Sequence, residues 1–406
     1  MILTQTTVGT FAQEDSPVSP GVTLRTSLCQ KWDSVEELRP AWDSILETNA
    51  LYTIFSTPEW LGSWWKAYGA GKELASLILK DETDAVAAII PMYREPIGFR
   101  LGRRLQYLRL VGDGTGDSDN LDLPVRLHSK QASITALVNW AEQDTSWDVC
   151  RLDTLDENSG TLAFLIDDLT RRRWPLTISR TPKWHIPLPR TWDQYIQGLS
   201  PEFRPLLTRY PRRLESRYPC QVVRCTTTTD LQKYLPVLFE LHQKRWEDIG
   251  EPGSFAMEDR RHFYQYIAAA FLQRGWLEFW IMELNGTAVA AQFCFQYNNS
   301  VYLLQEGFDP QYAKDKVGYA LRSRMLQHFI QQGLERYDFL GGTQAHKQKF
   351  GAVQGSYVNI EFAKPRTLGA AYLRLDRRTK QTRNWLKANL PDSMLALIRR
   401  QRSRRR

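Results

Sequence analysis

Cysteine is scarce in this chain, and its five residues (Cys29, Cys150, Cys220, Cys225 and Cys294) form an odd, scattered set that excludes a disulfide framework. Cys220 and Cys225 are the one close pair, and no second His or Cys pair follows at zinc-finger spacing, so buried thiols are expected. Long apolar runs are missing as well. The longest, Ala85 to Met92, is eight residues, far short of the roughly 20 that cross a bilayer, and reads as a buried strand. The opening MILTQTTVGTFAQEDSPVSPG has neither a basic nor a long apolar region of a signal peptide. Residues 1–21 are therefore expected to be a flexible leader and the protein cytoplasmic, with a peripheral position at the inner membrane open to it. No G-x-S-x-G spacing marks a nucleophile elbow, which argues against a covalent mechanism. No period of 20–50 residues marks a solenoid.

What is present is an ordinary globular composition of 42% hydrophobic and 24% charged residues, with 14 Trp among 48 aromatics to fill a sizeable core. The net charge of +8 is uneven. Residues 366–406 hold 13 of the 53 Lys and Arg but only two of the 45 acids, a net of +11; the remaining 40 and 43 leave the rest at −3. The high pI thus belongs to a basic tail.

The length suggests two or three domains, and the chain reads as two halves of similar grammar. The first, 22–182, has strands at Val22–Leu28, Leu74–Lys80, Ala85–Tyr93, Leu105–Val111, Asp148–Leu155 and Pro175–Arg180. Helices are expected from Ser34, from Thr57-Pro58 (a cap followed by Pro at the first helical position), over Lys130–Glu142 and over Thr161–Arg172. GDGTGDSDN, at residues 112–120, is the most turn-rich segment; its Asp113, Asp117 and Asp119, with Asp122, fail the EF-hand spacing, so a solvated loop beside a ligand cleft is expected and no metal. In the second half, 183–365, an Arg-rich helix runs from Pro201 to Arg217, and Asp230 caps a helix to about Asp248. Three strands joined by Asn285-Gly286 and Asn298-Asn299 turns follow. Such a string packs as mixed sheets flanked by helices, an α/β (α+β mixed) fold in two lobes.

The informative stretch is Tyr302 to Ala352. A strand ends at Glu306-Gly307-Phe308, and after a short loop a long helix begins at Lys316-Val317-Gly318-Tyr319. A helix N-terminus offers unpaired N–H groups and a positive dipole end, a site for pyrophosphate. Gly318 lets the backbone come close, and Lys314 and Lys316 add charge.

The order of strands, hairpins, Gly-containing loop, long helix, Tyr337-Asp338-Phe339-Leu340 and His346-Lys347-x-Lys349-Phe350-Gly351 resembles the BioF2-like or CelD-like acetyltransferases. These are a branch of the GNAT superfamily related to FemAB-type peptidyltransferases and built as two GNAT-like lobes. FSTPEWLGSWWKAYG, at residues 55–69, is similar to an early helix of that family. The superfamily loop Q/R-x-x-G-x-G is reduced to one Gly, Gly318. The resemblance implies direct attack of an amine on a thioester or ester carbonyl, with backbone N–H groups beside a splayed strand stabilising the oxyanion. On that reading Glu306 is the candidate base, through water, and Lys347 stabilises the tetrahedral intermediate with Asp338 orienting it. His346 stands second as base. Gly307, Phe308, Lys314, Lys316, Val317, Gly318 and Tyr319 form the donor site. The donor is acetyl-CoA or another acyl-CoA as co-substrate, with no permanently bound cofactor, and the acceptor a small molecule or glycan precursor. Aminoacyl transfer from charged tRNA and a non-catalytic scaffold in polysaccharide biosynthesis are the alternatives.

The tail scatters Leu373, Trp385, Leu386, Leu390, Met394, Leu395 and Ile398 among Arg and Lys, which suits an anionic membrane surface. Rings suited to stacking RNA bases are few there, Tyr372 and Trp385 alone after Phe362.

Overall fold

A computed structural model of the chain describes residues 23–98, 104–248, 250, 253–342 and 345–389. The leader expected over 1–21, and the basic end beyond Asn389, lie outside the described residues. The first half runs β1 (Arg25–Cys29), α1 (Trp32–Glu36), α2 (Arg39–Glu47), α3 (Pro58–Tyr68), β2 (Glu73–Leu74), β3 (Ser76–Lys80), β4 (Val86–Ile90), β5 (Met92–Gly98), β6 (Arg104–Leu110), α4 (Lys130–Gln143), β7 (Val149–Asp156), α5 (Leu162–Arg171) and β8 (Leu176–Pro187). The helix expected from Ser34 is two, because Pro40 has no N–H to continue α1 and sits instead in the first turn of α2. Thr57 does cap α3, accepting the Trp60 N–H at 3.3 Å. The strand expected over Ala85–Tyr93 breaks at Pro91, whose missing donor marks the crossing from the small sheet of β1, β3 and β4 into the large one.

The second half runs α6 (Trp192–Gly198), α7 (Arg204–Arg217), β9 (Cys220–Arg224), α8 (Thr228–Asp248), α9 (Glu258–Arg274), β10 (Leu277–Leu284), β11 (Thr287–Tyr297), β12 (Ser300–Phe308), α10 (Val317–Gln331), β13 (Arg336–Gly341), β14 (Val353–Phe362) and α11 (Leu368–Asn389). Both hairpin signals form turns with two left-handed residues, φ 52° and 76° at Asn285-Gly286 and 45° and 55° at Asn298-Asn299. At α8 the cap is Thr227: its hydroxyl accepts the Asp230 N–H while the Asp230 carboxylate accepts the Thr227 N–H at 2.9 Å, a reciprocal box in place of the single cap expected at Asp230.

One mixed sheet of 11 strands carries both halves, in the order β2-β5-β6-β7-β14-β8-β13-β12-β11-β10-β9. Among the described strands only β6–β7 and β12–β13 pair in parallel, and each half repeats the same unit of strand, helix and parallel strand. The two halves exchange their last strands: β14 pairs with β7 of the first, and β8 pairs with β13 of the second. The boundary expected at 182/183 therefore falls inside β8, which runs on from Leu176 to Pro187 without a linker. A single aromatic core spans the halves, with Trp60 edge-on to Phe263 and Phe295 at 5.1 and 5.6 Å. A second core lies beneath α7 and α10.

The expected tail begins as α11, whose Ala370 and Leu373 are buried against Leu105, Tyr107 and Val149. The Asp-rich loop is likewise not solvated. Asp113, Asp117 and Asp122 are buried; Asp117 pairs with Arg260 of α9 at 2.6 Å, and Asp122 accepts from Ser159 and Thr161. No His, Cys, Asp or Glu group among the described residues is arranged to hold a metal. No helix among them is long and apolar enough to cross a membrane.

Candidate active site

β12 and β13 pair only over Ser300–Tyr302 and Arg336–Asp338. Beyond these residues the strands part, helped by a bulge on β12 between Leu303 and Gln305 and by irregular register on β13 between Asp338 and Gly341. Bulges bend strands and free ladder groups, and cluster beside active sites for that reason. Leu340 sits in the left-handed region at φ 61°, a conformation that disfavours a side-chain-bearing residue by about 1–2 kcal/mol. The Asp338 carboxylate accepts the Leu340 N–H at 2.8 Å and pairs with Arg336 at 3.1 Å, stabilising this kink.

Beside the parting strands lies a pocket of about 220 Å³. Its walls are Gly307 and Phe308 of β12, Lys316 to Tyr319 at the start of α10, Arg322 of α10, Arg245 of α8, Gln292 of β11 and His346. Six of the seven expected donor-site residues, Gly307, Phe308, Lys316, Val317, Gly318 and Tyr319, are thus brought together. Lys314 is exposed and outside the lining. Lys316 takes a left-handed conformation, φ 58° and ψ 37°, without a side-chain cap. The first N–H groups of α10 are thereby left without intrahelical partners at the pocket wall, an arrangement that suits an anion. An added Cβ at Gly318 would meet only Phe308 Cδ1, at 3.8 Å, whereas at Gly307 it would lie 2.5 Å from the His242 backbone N. Gly307 is therefore needed for α8 to approach β12, besides lining the pocket.

Glu306 faces this pocket, and both its oxygens are occupied. Arg245 donates at 3.1 Å, Gln292 at 3.3 Å, and the buried Arg322 makes a close contact. Burial alone would raise its pKa, but Arg322 and Arg245 outweigh it and hold the carboxyl below its ordinary range. Arg322 is 5% exposed, lies against the Phe339 and Phe350 rings at 5.1 and 4.8 Å, and keeps a buried Nε without a partner. Arg245 and Arg322 were missed in the sequence, although Arg322 carried a signal: a charge on the apolar stripe of Met325, Leu326 and Phe329.

Lys347 also approaches the Phe339 ring, its ammonium 5.8 Å from the ring centre. It is 6% exposed and donates to the Phe339 and Gly341 carbonyls at 3.1 and 2.8 Å. The orienting contact is thus made by backbone carbonyls, where Asp338 was expected; Asp338 acts on them through the kink of β13. Burial lowers the Lys347 pKa, against the pull of Asp119 and Asp338. Asp119 of the Asp-rich loop reaches in from the first half to accept the Gly341 N–H at 3.0 Å, and burial first, then Asp338, push its carboxyl up to about 6. The phenol of buried Tyr357 and Nδ2 of Asn120 lack partners.

A splayed strand pair, a helix N-terminus opening on the gap and a cationic floor make a site suited to acyl transfer. Residues 202–348 match the family described as the acetyltransferase (GNAT) domain. The chain is similar in structure to FemX at a TM-score of 0.58 and 10% identity, over 86% of this chain and 99% of that one. It is also similar to a conserved protein of unknown function from Bacteroides thetaiotaomicron, at a TM-score of 0.54 and 12% identity, over 84% and 100% of the two chains. No curated protein matches the sequence. Residues 202–348 thus carry a GNAT-type acetyltransferase domain, and the chain as a whole shares its fold with FemX.

Proposed function

We propose that the protein is an N-acyltransferase that moves an acyl group from an acyl-CoA, acetyl-CoA being the simplest, to an amine of a sugar or cell-envelope precursor by direct attack. The observation that carries this reading is the parting of β12 from β13 beside the uncapped start of α10, within one pocket. The donor's diphosphate meets the N–H groups of Val317, Gly318 and Tyr319, and its thioester lies along the unpaired edge of β12. The amine nitrogen attacks the carbonyl carbon; the C–N bond forms, the C–S bond breaks and the thiolate leaves. Lys347 adds positive potential near the forming oxyanion. The charge of the pocket favours acyl-CoA over charged tRNA. Arg245, Lys316 and Arg322 face one carboxylate, Glu306, a field that attracts phosphates and disfavours the α-ammonium of an aminoacyl group.

Calorimetry with acetyl-CoA should show one site for the wild type and none for Gly318→Trp, whose melting temperature should stay close to that of the parent because the Cβ direction is open. Equal affinity in both would place the donor elsewhere. Protein stabilised by charged tRNA and not by acetyl-CoA would transfer the donor role to tRNA.

A further inference from the structure

The acyl transfer needs a proton acceptor, and the pocket offers few. Arg245, Arg322 and Lys316 are cations with nothing to accept. Glu306 has each oxygen engaged by a donor, and its pairing with two guanidiniums stabilises the form that has already lost its proton. A carboxylate so held accepts a proton weakly. His346 is different. It lines the same pocket from the short turn Ala345–Phe350, its side chain is only partly open to solvent, and among the described residues no hydrogen bond or ion pair engages its ring.

We infer that His346 is the general base of this reaction, taking the proton of the acceptor amine on a ring nitrogen. The inference rests on the acyl-transfer reading above. As the amine nitrogen bonds to the thioester carbon, one N–H proton passes to the imidazole. The C–S bond then breaks with its electron pair on sulfur, and the imidazolium returns the proton to the thiolate or to water. A base must be unprotonated when the amine arrives, and the surroundings of His346 keep it so. Burial disfavours the imidazolium first. Arg322 from α10, Lys347 from its own turn and Arg245 from α8 do the same, while Glu306 from β12 opposes them, and the balance lies below the ordinary histidine value. Glu306 then serves as a positioning residue, fixing the two guanidiniums beside the imidazole.

The test uses full-length protein, acetyl-CoA and glucosamine as the amine probe, with ring NMR of His346 alongside. In the wild type the ring should titrate below pH 6.5 and its signals should move when acetyl-CoA is added. His346→Gln should bind acetyl-CoA as before, lower kcat about a hundredfold or more, and lose the acidic limb of the kcat profile. Wild-type kcat and an unchanged limb in the variant, or a ring still protonated at pH 7, would overturn the inference while leaving the acyl-CoA reading intact. Failure of the wild type to bind acetyl-CoA would sink the reading and this inference with it.

Discussion

On the proposed reading, Lys347 joins stability to chemistry. Its ammonium is removed from water and held by two carbonyls at the kinked end of β13, beside the Asp119 carboxylate. Removing it withdraws a positive charge from the site and also leaves two carbonyls without their donor. Lys347→Ala should therefore lower turnover roughly tenfold to a thousandfold with acetyl-CoA affinity little changed. It should also destabilise the fold by about 1–3 kcal/mol. Steady-state kinetics beside thermal denaturation would separate the two; a lower melting temperature with unaltered kcat would leave Lys347 a structural role only. Asp338, expected to orient this lysine directly, instead stabilises the left-handed Leu340, and no local pattern in the sequence announces that.

Among the elements, α8 and β12 meet more closely than any side chain would allow. A methyl group at Gly307 would stand 2.5 Å from the His242 N and 2.7 Å from the Leu241 carbonyl carbon, both main-chain atoms that cannot turn aside. Gly307→Ala should push α8 outward, destabilise the protein by about 1–3 kcal/mol and draw Arg245 away from Glu306. Loss of acetyl-CoA affinity together with stability, by calorimetry and melting, is the expected result; an unchanged melting temperature would show that α8 moves freely. Elements of this kind were legible where the signal is local. Thr57-Pro58 placed the start of α3, Asn285-Gly286 a turn, and Glu306-Gly307-Phe308 the end of a strand. Breaks at Pro40 and Pro91 were present in the sequence as prolines, yet which of two sheets each strand joined was not.

At the scale of the molecule, the start of the basic tail belongs to the fold. Ala370 and Leu373 are buried, and Arg377 bonds to the Leu176 carbonyl of β8. Deleting everything from Thr367 would thus disturb the sheet, and the informative truncation begins at Leu390. It removes six arginines. Loss of residues 390–406 should leave the melting temperature and turnover unchanged and abolish co-sedimentation with anionic liposomes at low salt, each nearby basic residue contributing about 1 kcal/mol. Full-length protein that stays in the supernatant, yet shifts tRNA in a gel, would reverse the choice of partner.

Taken alone, the sequence determined the periodic elements, the caps and turns, the duplicated grammar and the place where a strand, a loop and a long helix meet. These follow from residues a few positions apart, whose propensities act locally. The tertiary structure alone decided the rest. Exchange of β8 and β14 merged two expected sheets into one, because strand pairing joins residues nearly two hundred positions apart, such as Leu176 and Phe362. The Asp-rich loop is buried because Arg260, Lys347 and the Gly341 N–H, all from the other half, meet its carboxylates. The choice between Glu306 and His346 depended on Arg245 and Arg322, which sequence distance hides and which the fold places at the carboxylate. A side chain's basicity is set by the charges around it, and those come from every element that packs against it.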